Sequence, residues 1–155
     1  MTTIDSSCAI ARSLSVVGER WTLLIMREAL SGVTRFARFR DALCVAPDVL
    51  TNRLNTLVDY GAMTREPYQE PGSRVRFAYA LTPAGRELVV VLAALQQWGD
   101  QHLPWPDGPS ILRVARETGR PLHVGFVDDT GTEVGLDDVD LVRTAAYPSS
   151  PAAGR

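Results

Sequence analysis

The sequence predicts a mainly α-helical fold with a small β-hairpin (α+β), followed by a short C-terminal extension. Apolar residues recur at helical spacing in five segments between residues 8 and 102. The turn signal Glu70-Pro71-Gly72-Ser73 separates two short runs with strand character. Composition changes after Leu103, because six of the ten prolines lie at or beyond residue 104. We therefore divide the chain into a domain over residues 1–103 and an extension over residues 104–155.

Capping residues set the predicted starts of the first three helices. Ser7 is a candidate N-cap for a helix over residues 8–17. Apolar spacing predicts a second helix over residues 20–30. Thr34 is a candidate N-cap for a third helix over residues 35–43.

The next elements complete a recognisable arrangement. Pro47 suits the first turn of a fourth helix that ends at Gly61. Residues 63–68 and 75–81 predict the two strands of a hairpin, and a fifth helix is predicted over residues 82–102. Short helices followed at once by a hairpin form a winged helix-turn-helix, in which the fourth helix is the recognition helix.

Charge is distributed unevenly along the chain. The formal net charge is -2, all 16 basic residues are arginine, and there are 18 acidic residues. Residues 20–86 hold ten arginines against six acidic residues, whereas residues 101–155 hold five against eight. Arginine is suited to bidentate contacts with phosphate and guanine. The basic middle of the chain therefore allows a nucleic-acid partner, although the net charge alone argues against one.

No segment predicts membrane insertion or export. The longest strictly apolar run, Leu88–Leu95, has eight residues, far fewer than a bilayer span needs. The first seven residues carry no basic region of a signal peptide. We expect a cytoplasmic protein with no membrane partner.

Polar side chains lie on the face of the fourth helix opposite its apolar stripe. Threonine and asparagine can bind base edges and phosphates, and asparagine is suited to adenine. A plain solvated helix face is the alternative. The candidate DNA-binding residues are Arg35 and Arg38 on the third helix, Asp48, Thr51, Asn52, Arg53 and Asn55 on the fourth, and Ser73, Arg74 and Arg76 on the hairpin.

The arginines of the hairpin add to this interface. Arg74 and Arg76 share one face of an alternating strand, while Val75 and Phe77 share the other. Two arginines beside a recognition helix suit contact with the DNA backbone or minor groove. Charges that protect an edge strand from aggregation are the alternative. For Arg40, we expect an ion pair with Asp41 or Glu28.

Catalytic and metal-binding patterns find little support. His102 and His123 have no cysteine or glutamate at ligand spacing, so no metal site is predicted. The acidic residues between 128 and 140 do not match a calcium loop and suit a solvated face. No phosphate loop or hydrolase motif is present. We predict no enzyme activity and no cofactor.

Six runs of residues between positions 8 and 102 follow one another in the order of a known family. They are Cys8-Ala9-Ile10-Ala11-Arg12, Gly18-Glu19-Arg20-Trp21-Thr22-Leu23-Leu24-Ile25, Arg35-Phe36-Ala37-Arg38-Phe39-Arg40, Leu50-Thr51-Asn52-Arg53-Leu54, Leu57-Val58-Asp59-Tyr60-Gly61 and Tyr79-Ala80-Leu81-Thr82-Pro83-Ala84-Gly85. In these runs the chain resembles the HxlR-type winged-helix regulators, relatives of the MarR group. The resemblance implies a homodimeric transcription regulator, a repressor, that binds a pseudo-palindromic DNA operator. The alternative is a winged helix used for protein–protein contact, with no operator.

The resemblance implies that the first and fifth helices form the dimer. The apolar stripe of the fifth helix suits this, although an intramolecular core would show the same pattern. The candidate interface residues are Leu14, Leu88, Leu92, Leu95 and Trp98.

The two cysteines receive different interpretations. Cys8 occupies the position at which related regulators use a cysteine to sense oxidants, and its place in the first helical turn favours a thiolate. Ala9 follows it where related proteins commonly have proline. The alternative role for Cys8 is a small, half-buried interface residue. We expect Cys44 to lie in the core.

The extension is expected to contain a hairpin and a short helix. Residues 122–127 and 132–134 predict the strands, and residues 137–145 predict the helix. Residues 148–155 are expected to be frayed. Trp98, Trp105 and Phe126 suggest a pocket for a small-molecule effector, with core packing as the alternative.

Overall fold

The computed structural model describes residues 7–147, which form two compact units, residues 7–89 with 143–147 and residues 90–142. The expectation for residues 148–155 lies outside the described residues. The first unit contains α1 (Ala9–Val17), α2 (Arg20–Leu30), α3 (Phe36–Leu43), α4 (Pro47–Asp59), β1 (Met63–Tyr68), β2 (Arg76–Leu81) and α5 (Pro83–Glu87). The second unit starts one residue into α6 (Val89–His102). It also contains β3 (Phe126–Val127), β4 (Glu133–Val134) and a 3-10 turn (Leu136–Asp138).

The predicted fold class is confirmed in the first unit, where helices surround one apolar core and a hairpin follows α4. The stripe that predicted the fourth helix supplies three core side chains of zero exposure. Burying an aliphatic or aromatic side chain of this size stabilises a fold by about 1.5–3 kcal/mol. The fully buried side chains are Ile25 and Met26 of α2, Phe39 of α3, Leu50, Leu54 and Leu57 of α4, Met63 of β1, and one polar residue, Thr22.

The start of α1 differs from the expectation, whereas its end lies at the predicted residue. The helix begins at Ala9 with Cys8 as its N-cap, and no side chain caps it, so the expected Ser7 cap is wrong. The predicted end at Gly18 is confirmed. A Cβ atom at Gly18 would lie 2.4 Å from the Leu14 carbonyl oxygen. Glycine is therefore required there by a close backbone approach rather than by a positive φ.

Thr34 does not cap α3. The N-cap position belongs to Arg35, and no side chain caps this helix. The Thr34 carbonyl instead accepts a hydrogen bond from the Tyr79 N–H at 2.8 Å, and Arg35 forms an antiparallel bridge with Ala78. The segment before α3 is thus bound to β2 as a one-residue strand, which fixes the hairpin against the helical core.

The hairpin forms close to its predicted limits. β1 pairs with β2 in an antiparallel register that runs from Met63 opposite Leu81 to Tyr68 opposite Arg76. β2 begins at Arg76, one residue after the predicted start. Gly72 adopts a φ of 75° in the connecting loop, a conformation that favours glycine.

The predicted fifth helix is divided into α5 and α6 at Leu88, whose N–H bonds to the Gly85 carbonyl and closes the last turn of α5. The expected start is confirmed, because the Thr82 hydroxyl oxygen accepts a hydrogen bond from the Gly85 N–H at 3.1 Å. Thr82 also donates to the Gly61 carbonyl at 2.6 Å. A Cβ at Gly85 would lie 2.0 Å from the Ala62 oxygen, so this turn packs closely against the segment before β1.

The second unit contains a hairpin in which β3 pairs with β4, but its strands are shorter than the predicted residues 122–127 and 132–134. The Asp128 carboxylate accepts hydrogen bonds from Thr130 and Thr132, which hold its pKa below the usual range. The predicted helix over residues 137–145 is wrong, since only Leu136–Asp138 forms a 3-10 turn. Leu141 is 95% exposed, so no apolar face is buried to stabilise that helix.

Two glutamines of α6 hold the extension. The Gln97 amide donates to the Val124 carbonyl at 3.0 Å and accepts from the Val124 N–H at 2.8 Å. The Gln96 amide donates to the Ile111 carbonyl at 2.6 Å. Because α6 shares a compact unit with these segments, the units divide after Val89. A domain boundary at residue 103 stays a prediction.

Candidate nucleic-acid interface

The outer face of α4 is polar and accessible. Asp48, Thr51 and Asn52 are exposed, whereas Asn55 and Arg53 are half-buried. The Thr51 hydroxyl donates to the Pro47 carbonyl at 2.7 Å and keeps its oxygen lone pairs for a donor on a ligand. Asp48, Thr51 and Asn52 are therefore the candidate residues of α4 that solvent reaches most freely.

The turn that leads into α4 contains the one non-glycine residue of positive φ within residues 7–147. Cys44 ends α3 in the left-handed conformation, with φ 49° and ψ 38°. Its side chain is exposed, so the expectation of a core position is wrong. The apolar spacing of α3 ends at Leu43. The left-handed turn then directs the side chain of Cys44 away from the core.

The candidate phosphate-binding arginines fall into two groups. Within the described residues, Arg38, Arg74 and Arg76 are exposed and form no ion pair. The guanidinium of Arg35 lies 2.6 Å from the Glu70 carboxylate, and that of Arg53 lies 4.0 Å from Glu19. The first group can meet a phosphate without first breaking an ion pair.

Arg40 has the expected kind of partner. It pairs with Asp41 at 3.1 Å. Glu28, the other expected partner, is instead 2.6 Å from Arg27.

The hairpin presents its two arginines near its tip together with apolar side chains. Arg74 and Arg76 are exposed, and Val75 and Phe77 are exposed as well rather than packed in the core. The guanidinium of Arg65 covers the Phe77 ring at 4.6 Å. This end of the hairpin thus extends beyond the core, as a wing that reaches a duplex must.

Ser73 is half-buried in the loop of the hairpin. Its N–H donates to the Glu70 carbonyl at 3.0 Å, and its carbonyl accepts from Gln69 at 2.9 Å. These bonds hold the loop that carries Arg74.

The base of the hairpin contains a buried tyrosine. Burial raises the pKa of the Tyr79 phenol, and the charge and hydrogen bond of Arg65 oppose that shift. The phenol is therefore neutral at physiological pH, and the backbone N–H of the same residue joins β2 to the segment before α3.

Comparison with known proteins decides the family. Residues 16–106 match the model of the HxlR-like helix-turn-helix family. This chain belongs to the HxlR-like family. The family resemblance and the winged helix-turn-helix fold predicted from the sequence are both confirmed.

Relatives of this HxlR-like chain include Rv3095 of Mycobacterium tuberculosis, described as an uncharacterized HTH-type transcriptional regulator. It is 46% identical over 103 residues, which are 66% of this chain and 64% of the relative. An identical match is found for a protein of Mycobacterium bovis with the same description. The chain thus spans less than two thirds of the length of these relatives.

Similar solved structures differ in how much of this chain they cover. PA1607, described as a candidate transcription factor, has a TM-score of 0.77 and 35% identity, with 90% of this chain and 97% of that chain covered. PA1374 of Pseudomonas aeruginosa has a TM-score of 0.63 and 39% identity, with 91% and 95% covered. The oxidized form of the redox regulator HypR has a TM-score of 0.55 and 27% identity, with 61% and 97% covered.

The candidate dimer residues lie on exposed or half-buried apolar surface. On α6, Leu95 and Trp98 are half or more exposed and Leu92 is half-buried, as is Leu88 between α5 and α6. Leu14 of α1 is also exposed. At about 100° per residue, Leu95 and Trp98 lie roughly opposite Gln96 and Gln97. The extension therefore holds the polar side of α6, and the apolar side stays open within the second unit.

The expected effector pocket of aromatic residues is not found in the structure. Trp98, Trp105 and Phe126 are each more than half exposed, and none lines the groove that the second unit contains. Trp98 instead contacts His102, with ring centroids 5.1 Å apart and the ring planes tilted by 42°. The positions of the aromatic residues in the sequence did not show which segments of the extension pack against α6.

Two absences concern the described residues only. Within residues 7–147, no three histidine, cysteine, aspartate or glutamate side chains are grouped to hold a metal ion. No helix of the same residues is long and apolar enough to cross a bilayer.

Sequence reasoning missed two groups of residues. Glu70 and Tyr68 hold Arg35, which the amphipathic pattern of the strands does not reveal. Gln96, Gln97 and Arg113 join α6 to the extension. The second group could have been found from the sequence, because Gln96 and Gln97 directly follow the apolar run Leu88–Leu95.

Proposed function

We propose that this HxlR-like chain is a DNA-binding transcriptional regulator. The observation that carries the proposal is the set of unpaired arginines, Arg38, Arg74 and Arg76, in the unit that presents the polar face of α4. In this proposal α4 enters the major groove, where Asn52 and Thr51 read base edges. Arg74 and Arg76 bind the backbone or the minor groove.

The regulator acts as a homodimer on a pseudo-palindromic operator and represses a gene. The open apolar sides of α1 and α6, which include Leu14, Leu95 and Trp98, support binding of a second copy. Two-fold symmetry then sets two half-sites about one helical turn, roughly 34–36 Å, apart. A bound dimer of this size blocks access to a promoter.

Cys8 is proposed to make DNA binding sensitive to oxidants. It is half-buried at the N-cap position of α1. The similarity to the redox regulator HypR supports this role.

The decisive experiment is a binding titration with DNA from upstream of the chain's own gene, at low and moderate salt. We expect specific binding, and the logarithm of its association constant should fall linearly with the logarithm of salt concentration. DNA of equal length and shuffled sequence is the control. Equal affinity for both DNAs, or no binding at low salt, contradicts the proposal and favours a protein–protein interaction module.

A second titration tests Cys8 with diamide as the oxidant. Because Cys44 is exposed and also reacts, the parent for this experiment is Cys44→Ala. Diamide should weaken DNA binding by this parent and leave binding by Cys8→Ala with Cys44→Ala unchanged. An equal response of both proteins assigns the effect to another site.

A further inference from the structure

A groove in the second unit has no role in the proposed DNA binding. It has a volume of about 360 Å³ and lies between α6 and two irregular segments of the extension, residues 109–113 and 121–124. This volume is near the lower end of the range in which proteins bind small molecules, about 300–1,000 Å³. The floor is the polar side of α6 around Gln96.

Two opposite charges face this groove without pairing with each other. The Gln96 amide donates to the Asp100 carboxylate at 3.2 Å, and its oxygen accepts a hydrogen bond from Arg113. Neither Asp100 nor Arg113 forms an ion pair within the described residues. A glutamine side chain thus holds a carboxylate and a guanidinium in place and leaves the charge of each uncompensated.

Apolar side chains flank the same charges. Leu112 is 73% exposed and Leu122 is 55% exposed, and Ile111 lies beside them on the groove wall. Exposed leucines in the wall of a groove are the usual apolar part of a small-molecule site. The extension hairpin does not bury them.

The groove belongs only to chains that carry the extension. PA1607 and PA1374 align with 90% or more of this chain, so they include the extension. HypR is covered to 97% of its own length by 61% of this chain and therefore has no counterpart to most of it. The likeness to HypR thus involves about three fifths of this chain, whereas the likeness to PA1607 and PA1374 includes the extension.

We propose that this groove binds a free α-amino acid with an aliphatic side chain. The ligand must carry both charges, because Asp100 and Arg113 offer one of each sign, and a short apolar body, because Leu112 and Leu122 line the wall. The carboxylate of the amino acid binds Arg113, where a planar guanidinium offers paired donors. Its ammonium binds Asp100, and its aliphatic side chain covers the two leucines.

Calorimetric titration of the full chain with leucine, without DNA, tests this site. We expect saturable binding at millimolar or lower concentration. Leucinamide lacks the carboxylate and 4-methyl-2-oxopentanoate lacks the ammonium, so each should bind at least about tenfold more weakly than leucine. Asp100→Asn and Leu112→Ala should each weaken leucine binding by about tenfold.

Leu141→Ala is the matched control, because Leu141 is 95% exposed in the same unit and lies outside the groove. It should bind leucine as the parent does. Absence of leucine binding, equal binding of the keto acid, or an equal loss in Leu141→Ala overturns the proposal. Since no DNA is present, these outcomes are independent of the proposed regulation of transcription.

Discussion

The Arg35 guanidinium lies 2.6 Å from the Glu70 carboxylate and stacks over the Tyr68 ring at 4.7 Å. Arg35 precedes α3, whereas Tyr68 and Glu70 lie at the end of β1 and in the loop after it. The pair therefore joins the start of α3 to the hairpin that carries Arg74. Because both partners are about half exposed, the pair itself contributes at most about 1 kcal/mol to stability. Its larger effect is to occupy one of the candidate phosphate-binding arginines.

We expect Glu70→Gln to strengthen DNA binding. The substitution releases Arg35 for a phosphate and removes one negative charge from the wing, so the salt dependence should become steeper by about one unit of slope. Glu66→Gln is the matched control, because Glu66 is exposed on β1 and forms no ion pair within residues 7–147. An equal effect of both variants in a salt titration assigns the gain to net charge alone.

Removing the two unpaired wing arginines should weaken binding to every DNA sequence. For Arg74→Ala with Arg76→Ala, the salt slope should decrease by up to about 2, since each phosphate contact contributes about 0.9. Arg27→Ala, which removes an arginine already paired with Glu28, should leave the slope unchanged. A double variant with the parental slope contradicts the assignment of Arg74 and Arg76.

Asn52→Ala should change which sequences are bound rather than the salt slope. The variant removes an exposed amide from the outer face of α4 and no charge. A lost bidentate contact relaxes discrimination at one base pair by about 1–3 kcal/mol. Selection from a random DNA pool measures this, and recovery of the same preferred sequence by variant and parent rules out base readout by Asn52.

Thr22→Val should stabilise the first unit. The Thr22 side chain has zero exposure, and its hydroxyl has no hydrogen-bond partner among the described residues. Replacing an unpaired buried hydroxyl by a methyl group of similar size should raise the free energy of unfolding by about 1 kcal/mol. Urea denaturation measures the change, provided that the dependence on urea concentration stays constant.

Thr22→Ser is the counterpart that separates the two contributions. It retains the hydroxyl and loses the methyl group, so it should lower the free energy of unfolding by about 1 kcal/mol. If valine destabilises the unit as serine does, the hydroxyl has a partner in solution.

The conformation of Cys44 predicts an unusual order of substitutions. Left-handed backbone costs a non-glycine residue about 1–2 kcal/mol, and β-branched side chains tolerate it least. Cys44→Gly should therefore be more stable than Cys44→Val by at least about 1 kcal/mol. Since the side chain is exposed, packing cannot reverse this order. Thermal unfolding of the two variants, with Cys44→Ala as reference, measures it.

The helices of the first unit were predictable because their apolar residues follow one period and bury one stripe. Leu50, Leu54 and Leu57 have zero exposure, as their spacing requires. The helix caps were less predictable. Thr34 was expected to cap α3, but its carbonyl binds the N–H of Tyr79, 45 residues further along the chain, and α3 starts one residue later. Local sequence contains no information on such a long-range pairing.

The candidate interface was predictable in its location but not in its electrostatics. Sequence placed arginines before and within the wing, yet Arg35 and Arg53 lie near acidic partners and Arg38 does not. The extension was least predictable, since its attachment depends on Gln96 and Gln97 rather than on an apolar pattern.

The reciprocal bonds of Gln97 with Val124 give α6 a property that helices generally lack. The side-chain amide offers one donor and one acceptor, as a peptide group at a sheet edge does, so an extended segment can attach to a helix without help from another strand. Such an attachment requires two side chains on a face that the proposed dimer does not use. Substitutions at these few positions can therefore attach or release a C-terminal segment, while the proposed pairing with a second copy stays the same.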